Sequence, residues 1–337
     1  MKKRLAIIIT SCVLVVSAIV VTAIGVIAIP IDAIFPILKA KISGGIVPSE
    51  WEIYATTLWT LRLPRVLLSI LVGAGLAIGG AAFQNIFRNP ICDPYILGIS
   101  SGASLGAGLA IILGLDVFIF GTTLGALIVA LLTLILILTI AKTGKSKSIE
   151  TLLLAGVAIN FLLSAVLTML MVLHQEAMEE IIFWTMGSFA AATWTENAIL
   201  FVILCLTAFL LFYYSKDLNI MQLGNDIAQT SGVNTKRVTY MVLISSSILI
   251  ATIVAFCGVI GFVGLVIPHL ARLLFGNKIQ TVFVFSLLFG ALFCLIADLI
   301  SRTAAAPAEL PVGSITALIG APYFLYLLIV KRYKSIS

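Results

Sequence analysis

Few residues in this 337-residue chain have side chains and spacing suited to chemistry. Arg62 and Arg65 stand in LRLPR just before a long apolar run, AKTGKS (Ala141 to Ser146) imitates the end of a phosphate-binding loop, and His174, His269 and Asp298 could serve catalysis, metal binding or ion coupling. Spacing tests each of them. A phosphate-binding loop needs glycine five residues before its Gly-Lys pair and a strand in front of it. Thr139 holds that position here and an apolar, membrane-length run precedes it, so AKTGKS reads as an ordinary basic loop and the chain as a non-enzyme. Two histidines without clustered carboxylates supply neither metal ligands nor an acid/base pair. His269, in VIPH, reads as a hydrogen-bonding packing residue, and His174 as a surface residue near Met171 and Met178. Asp298 lies four residues before Arg302, where an i,i+4 pair satisfies it, which leaves an ion-coupled carrier without an ionisable relay in the membrane. The expectation is a conduit with no catalytic residue, no metal and no cofactor of its own.

The elements that must position these residues are membrane helices. The chain is 61% hydrophobic and 10% charged, against about 45–50% and 25% in soluble domains. Ten apolar segments fill it: Leu5–Ala28, Val66–Phe87, Ile99–Leu115, Val117–Ile140, Leu152–Leu173, Ala198–Tyr213, Val238–Cys257, Val259–Phe275, Val282–Leu299 and Ile315–Val330. Each approaches the length needed to cross a hydrocarbon layer of about 30 Å. No soluble domain fits between them, so residues 1–337 read as a single transmembrane domain, an all-α polytopic protein. The first run is too long for the core of a secretory signal and reads as a retained helix. Cys12, Cys92, Cys205, Cys257 and Cys294 share no disulfide or metal spacing.

Basic residues in short loops orient a membrane protein. With the MKKR start placed in the cytoplasm, fifteen of the twenty Lys and Arg residues fall on that side, while HQEAMEEIIFWTMGSF on the other carries three glutamates and no basic residue. Both termini are then cytoplasmic, in the cell membrane. The net charge of +6 reflects this topology rather than nucleic-acid binding. The exceptions outside are Lys39, Lys41, Arg62, Arg65 and Arg302. The Gly/Pro-rich stretches NPICDPYILGISSGASLG and GVIGFVGLVIPHLARLLFG follow segments 2 and 7, which cross in opposite directions. Interrupted segments at matching places imply an inverted repeat, segments 2 to 5 against 7 to 10.

A conduit without ion coupling needs an external source of energy. The longest connection on the basic side, Tyr213 to Arg237, sets Leu218, Ile220, Met221, Leu223 and Ile227 among polar residues, the pattern of an amphipathic segment that docks a partner protein or lies on lipid.

Taken in order, LRLPRVLLSILVGAGLAIGGAAFQNIFRNPICDPYILGISSGASLGAGLA, LLLAGVAINFLLSA, FWTMGSF, LGNDIAQTSGVN, GFVGLVIPHLARLLFG, ADLISRT and ELPVGSITALIGAPYFLYLL closely resemble the permease subunits of type II ABC importers. The resemblance spans Leu61 to Leu328, with RLPR, RNPxxDP and VIPH specific in combination. It implies an importer of ferric siderophore, haem or cobalamin, with ferric siderophore the first choice. It also implies a homodimer with a path along its axis, two cytoplasmic ATP-binding subunits and an extracytoplasmic substrate-binding protein. Outer arginines dock glutamates of that protein in this family, and the matching positions are Arg62, Arg65 and Arg302. The coupling loop maps to Leu218, Leu223, Asp226, Ile227 and Gly232. The inner gate maps to Asn85, Phe87 and Asn89 near the RNP turn and to Ser148, Ile149 and Glu150 at the entry to segment 5. The alternative from a different class is an ion-coupled secondary carrier.

Overall fold

A computed structural model describes residues 2–25, 29–45, 47–118, 120–143 and 149–334. The ten apolar segments become α1 (Lys2–Ala23), α4 (Leu63–Ile86), α5 (Ile99–Ile112), α6 (Gly121–Thr143), α7 (Ile149–Leu173), α9 (Trp194–Tyr213), α12 (Thr235–Cys257), α13 (Val263–Phe275), α14 (Ile279–Thr303) and α15 (Val312–Lys334). Between them lie α2 (Ile31–Ser43), α3 (Glu52–Thr56), α8 (Gln175–Thr185), α10 (Ser215–Met221) and α11 (Asn225–Thr230). Among the described residues, seven helical runs have the length and composition to cross a membrane, and α5, α13 and α15 are shorter apolar helices. With no water in hydrocarbon to satisfy backbone groups, helices that bond internally are the expected solution, and no strand occurs among the described residues.

The two halves repeat each other. Lengths run 24, 14, 23 and 25 residues through α4 to α7, and 23, 13, 25 and 23 through α12 to α15. Each short helix is entered through a left-handed residue, Gly98 at φ 66° and Phe262 at φ 67°. Glycine adopts that conformation without strain and phenylalanine does not, so the second half holds by packing what the first obtains from composition.

α4 is the central post: 83% of its membrane-length window is buried, against 11% for α1. Its small residues permit backbone contact, the means by which apolar helices associate where lipid is as apolar as leucine. A Cβ at Gly73 would stand 2.1 Å from the Gly290 carbonyl oxygen on α14, and one at Gly80 would stand 2.0 Å from that of Gly264 on α13.

One boundary differs from the expectation. The segment read from Val66 begins earlier: Pro64 stands in the first turn of α4, and helical backbone already runs from Ser49, through a π-helical turn at Thr57–Arg62 that joins α3 to α4. Proline has no N–H to give the carbonyl four residues back. The widened turn passes the difficulty by letting Leu63 N–H bond the Leu58 carbonyl five residues back. Arg62 and Arg65 therefore sit inside a 38-residue helical run rather than at its exposed head.

Candidate functional site

The chemistry gathers at the two ends of α4, about 36 Å apart at 1.5 Å per residue. Arg62 and Arg65 share one face at the N-terminal end, three residues apart. Arg65 Nε donates to Asp298 Oδ1 at 2.7 Å, and its Nη1 donates to both carboxylate oxygens of Glu309 at 2.8 and 2.9 Å. Arg302 Nε lies 3.4 Å from Asp298 Oδ2, the expected i,i+4 pair. The shorter bond, to Arg65, spans 233 residues and had no local signal.

The other two arginines close the end of α1. Arg62 Nη1 donates to the carbonyls of Thr22 and Ala23 at 2.9 and 2.8 Å, and Arg302 donates to those of Ile24 and Val21. A helix C-terminus leaves four carbonyls without intrahelical donors and carries partial negative charge, so two guanidinium groups satisfy both needs. Arg62, Arg65 and Arg302 are only 7, 9 and 8% exposed, and Asp298 is 0% exposed. These groups thus face the end of α1, Asp298 and Glu309: Arg62 and Arg65 because the helical run begins well before them, and Arg302 because it lies in the last turn of α14. A cavity of about 280 Å³ opens onto all three arginines and Glu309.

The C-terminal end of α4 is arranged differently. Gln84 Nε2 donates to the carbonyls of Gly264 and Leu265, and its Oε1 accepts from Arg272 Nη1 at 2.5 Å, fixing α4 to α13. Arg88, in left-handed backbone at φ 48°, donates to Asn225 Oδ1 at the start of α11. The RNP turn is thereby bonded to the longest connection on the basic side. Asn85 is 6% exposed, and neither polar atom of its amide has a partner among the described residues. With Arg88, Gln222, His269, Arg272 and Leu273 it lines a cavity of about 510 Å³.

Of the other residues mapped to the gate, Phe87 is buried against Phe83, their rings 5.9 Å apart. Asn89 shapes the turn by accepting from Ile91 N–H at 3.0 Å. Ser148 lies outside the described residues, as do the side chains of Ile149 and Glu150, whose backbone opens α7.

The long connection folds as α10 and α11. Leu218 is fully buried in the core, which corrects its expected place on a docking face. Amphipathic spacing shows that two faces exist and not which one the protein itself covers. Leu223 and Ile227 remain 69 and 49% exposed, and Asp226 is exposed in the first turn of α11. Gly232, at φ 84°, ends the segment in a left-handed cap in which Val233 N–H bonds the Ala228 carbonyl. Asn219 fastens α10 to α14 by donating to Gln280 Oε1 and accepting from Ile279 N–H, both at 2.9 Å. Sequence reading missed Gln84, Arg272 and Glu309. Their partners stand 188 and 244 residues away, with no periodic pattern to announce them.

The model of the FecCD transport family matches residues 12–330. The chain belongs to that family. Among its relatives, an uncharacterised ABC transporter permease protein of Bacillus subtilis is 42% identical over 305 residues, 89% of this chain and 86% of that one. The hemin transport system permease protein of Yersinia pestis is 39% identical over 287 residues, 84% of each chain. A solved structure described as an inward-facing metal-chelate type ABC transporter matches at TM-score 0.84 and 33% identity, covering 96% of this chain and 98% of its own. As a FecCD-family permease, this chain places its arginine network and its connection through α10 and α11 at opposite ends of one central helix, α4.

Proposed function

We propose that this chain is the membrane-crossing subunit of an ATP-binding-cassette importer whose cargo is a metal chelate, specifically a ferric siderophore. It works as a homodimer in the cytoplasmic membrane with both termini inside, energised by two cytoplasmic ATPase subunits and supplied by an extracytoplasmic binding protein. The observation that carries this reading is α11 with the turn before it, a short element at the basic end with Ala228 buried and Leu223, in the turn, and Ile227, in the helix, left exposed. It has neither the length to enter a membrane nor a cover of its own, and it is bonded through Arg88 to the post that runs to the other end. Haem is the second reading, supported by the identity to the Yersinia pestis permease, and cobalamin would use the same architecture. The mapped gate residues, Asn85, Phe87 and Asn89 with Ser148, Ile149 and Glu150, are proposed to close the inner end of the path.

Arg62, Arg65 and Arg302 are proposed to receive carboxylates of the binding protein. Support comes from the outer cavity, where Glu309, with 44% of its side chain exposed, already holds Arg65 Nη1 with both carboxylate oxygens, the charge-assisted contact a partner's glutamate would use. Docking must then reach into the cavity or displace Glu309. In reconstituted vesicles, uptake of a ferric siderophore should require both the ATPase partner and ATP, and uptake by this chain alone would overturn the importer reading. Stimulation of ATP hydrolysis by the binding protein should fall as salt shortens the Debye length from about 30 Å at 0.01 M to about 10 Å at 0.1 M. A response independent of salt would overturn arginine docking while leaving the importer reading intact.

A further inference from the structure

The cavity at the inner end of α4 borders the proposed gate at Asn85, but it also carries two arginines that neither packing nor the gate accounts for. Arg88 and Arg272 both line it, His269 stands between them in the sequence of elements, and no carboxylate is among the described residues that line it. Asn85 adds an amide, nine-tenths buried, with neither its donor nor its acceptor engaged among the described residues. A buried amide left without partners costs free energy unless water or a ligand meets it. One cation is planar and half-buried, the other exposed at the mouth, and guanidinium groups so placed suit an oxyanion of phosphate type, which accepts several charge-assisted bonds at once. The rim supplies the second half of the pattern. Leu273, which lines the cavity, is 51% exposed, and its neighbour Leu274 is 58% exposed. Phosphate is common to a lipid headgroup and to the free ion, and apolar surface beside the arginines favours the lipid.

We propose that this cavity binds the phosphate of an anionic phospholipid of the inner leaflet, with Arg88 and Arg272 on the headgroup, Asn85 completing its hydrogen bonds, and the acyl chain running past Leu273 and Leu274. Basic pockets between membrane helices on the cytoplasmic side are where such headgroups collect. Assignment to the inner leaflet rests on the orientation given under Proposed function, whereas the binding itself does not. An occupied site would tie α4 to α13 through the two arginines. Because Arg88 also holds Asn225, the lipid would stiffen the attachment of α11 to the post.

The full-length permease, purified in neutral detergent, should be titrated with short-chain phosphatidylglycerol, phosphatidylcholine and inorganic phosphate. Native mass spectrometry reads retained lipid and the melting temperature reads stabilisation. Phosphatidylglycerol should be retained and should raise the melting temperature, while phosphatidylcholine and phosphate should do neither. Arg88→Gln and Arg272→Gln should each weaken retention about tenfold, the size of one charge-assisted contact, and Arg272→Lys should restore part of it. If Arg272→Gln folds poorly, Arg88→Gln, at an exposed position, carries the measurement. Equal response to phosphatidylcholine, an equal or greater response to inorganic phosphate, or undiminished retention in both glutamine variants would overturn the assignment. ATP-driven uptake in vesicles is a separate readout, so failure of lipid binding and failure of the importer reading are told apart.

Discussion

At the N-terminal end of α4 the arginines meet carboxylates and helix-end carbonyls, and at its C-terminal end, among the described residues, they meet only neutral amides. Arg65 lies between Asp298 and Glu309, and Arg62 and Arg302 are spent on the last carbonyls of α1. At the other end Arg88 and Arg272 face a cavity with no carboxylate among the described residues that line it, and Asn85 has no partner among the described residues. Both ends carry arginines brought together by the same helix, so residue type does not separate them. The difference lies in whether the protein supplies its own anions. A closed cluster holds the fold, and a partner must compete with it, whereas an open one waits for something from outside the chain.

The sharpest way to break this contrast is Arg65→Ala. It strands Asp298, which is 0% exposed, with only the longer contact to Arg302. Breaking a buried pair from one side costs about 3–5 kcal/mol, so thermal unfolding in detergent should show a large loss of stability. Asp298→Ala in the same chain should recover much of it, because the charge left unpaired is then gone. Equal stability of Arg65→Ala and wild type would mean that the outer cluster is not closed in the sense argued here. Reversal of Arg62, Arg65 and Arg302 to glutamate is for the same reason a poor test of docking. It would crowd new carboxylates around Asp298 and Glu309 and damage the fold before any partner arrived.

Arg62→Ala should have a smaller effect. It removes two bonds to the α1 carbonyls of Thr22 and Ala23, while Arg302 still caps Val21 and Ile24. A hydrogen bond with one charged partner contributes about 1.5–3 kcal/mol. The loss should stay near the lower figure, because α1 is peripheral and can relax towards lipid. Limited proteolysis should show α1 released earlier than in wild type, with the remaining helices protected. Release of the whole bundle at once would show that Arg62 belongs with Arg65 as a support of the core.

The helices were legible in the sequence because hydrocarbon imposes length and composition on each of them separately. Val238–Cys257 was read for a helix found at Thr235–Cys257, and Leu152–Leu173 for one found at Ile149–Leu173. The repeat was legible from the glycines and prolines that interrupt its two short helices. Contacts between elements were not. Asp298 was assigned to Arg302 because i,i+4 spacing can be read along a chain, while its shorter bond joins α14 to α4 across 233 residues. Arg62 and Arg65 were read as standing just before the apolar segment that starts at Val66, and the π-helical turn that carries the helix back past Pro64 has no sequence signature of its own. Leu218 and Leu223 look alike in an amphipathic segment, and only the fold shows that Leu218 faces the core.

That last difference gives the smallest expected effect on stability and the most informative one on function. Leu223, in the turn before α11, and Ile227, on α11, are exposed, and exposed substitutions usually change stability by no more than about 0.5 kcal/mol. Leu223→Asp with Ile227→Asp should therefore melt like wild type in detergent. In the assembled complex the same pair should dissociate the ATPase or uncouple its hydrolysis from uptake, since an apolar interface that must bury two unpaired carboxylates loses far more than the free protein does. Leu218→Asp is the control from the opposite face: its side chain is fully buried, so it should lose the fold itself and fail before assembly can be tested. Normal coupling in the double aspartate variant would leave α11 as a surface element lying on lipid. The inner end would then be open only at its cavity, and the route from α11 through Arg88 to α4 would carry no signal.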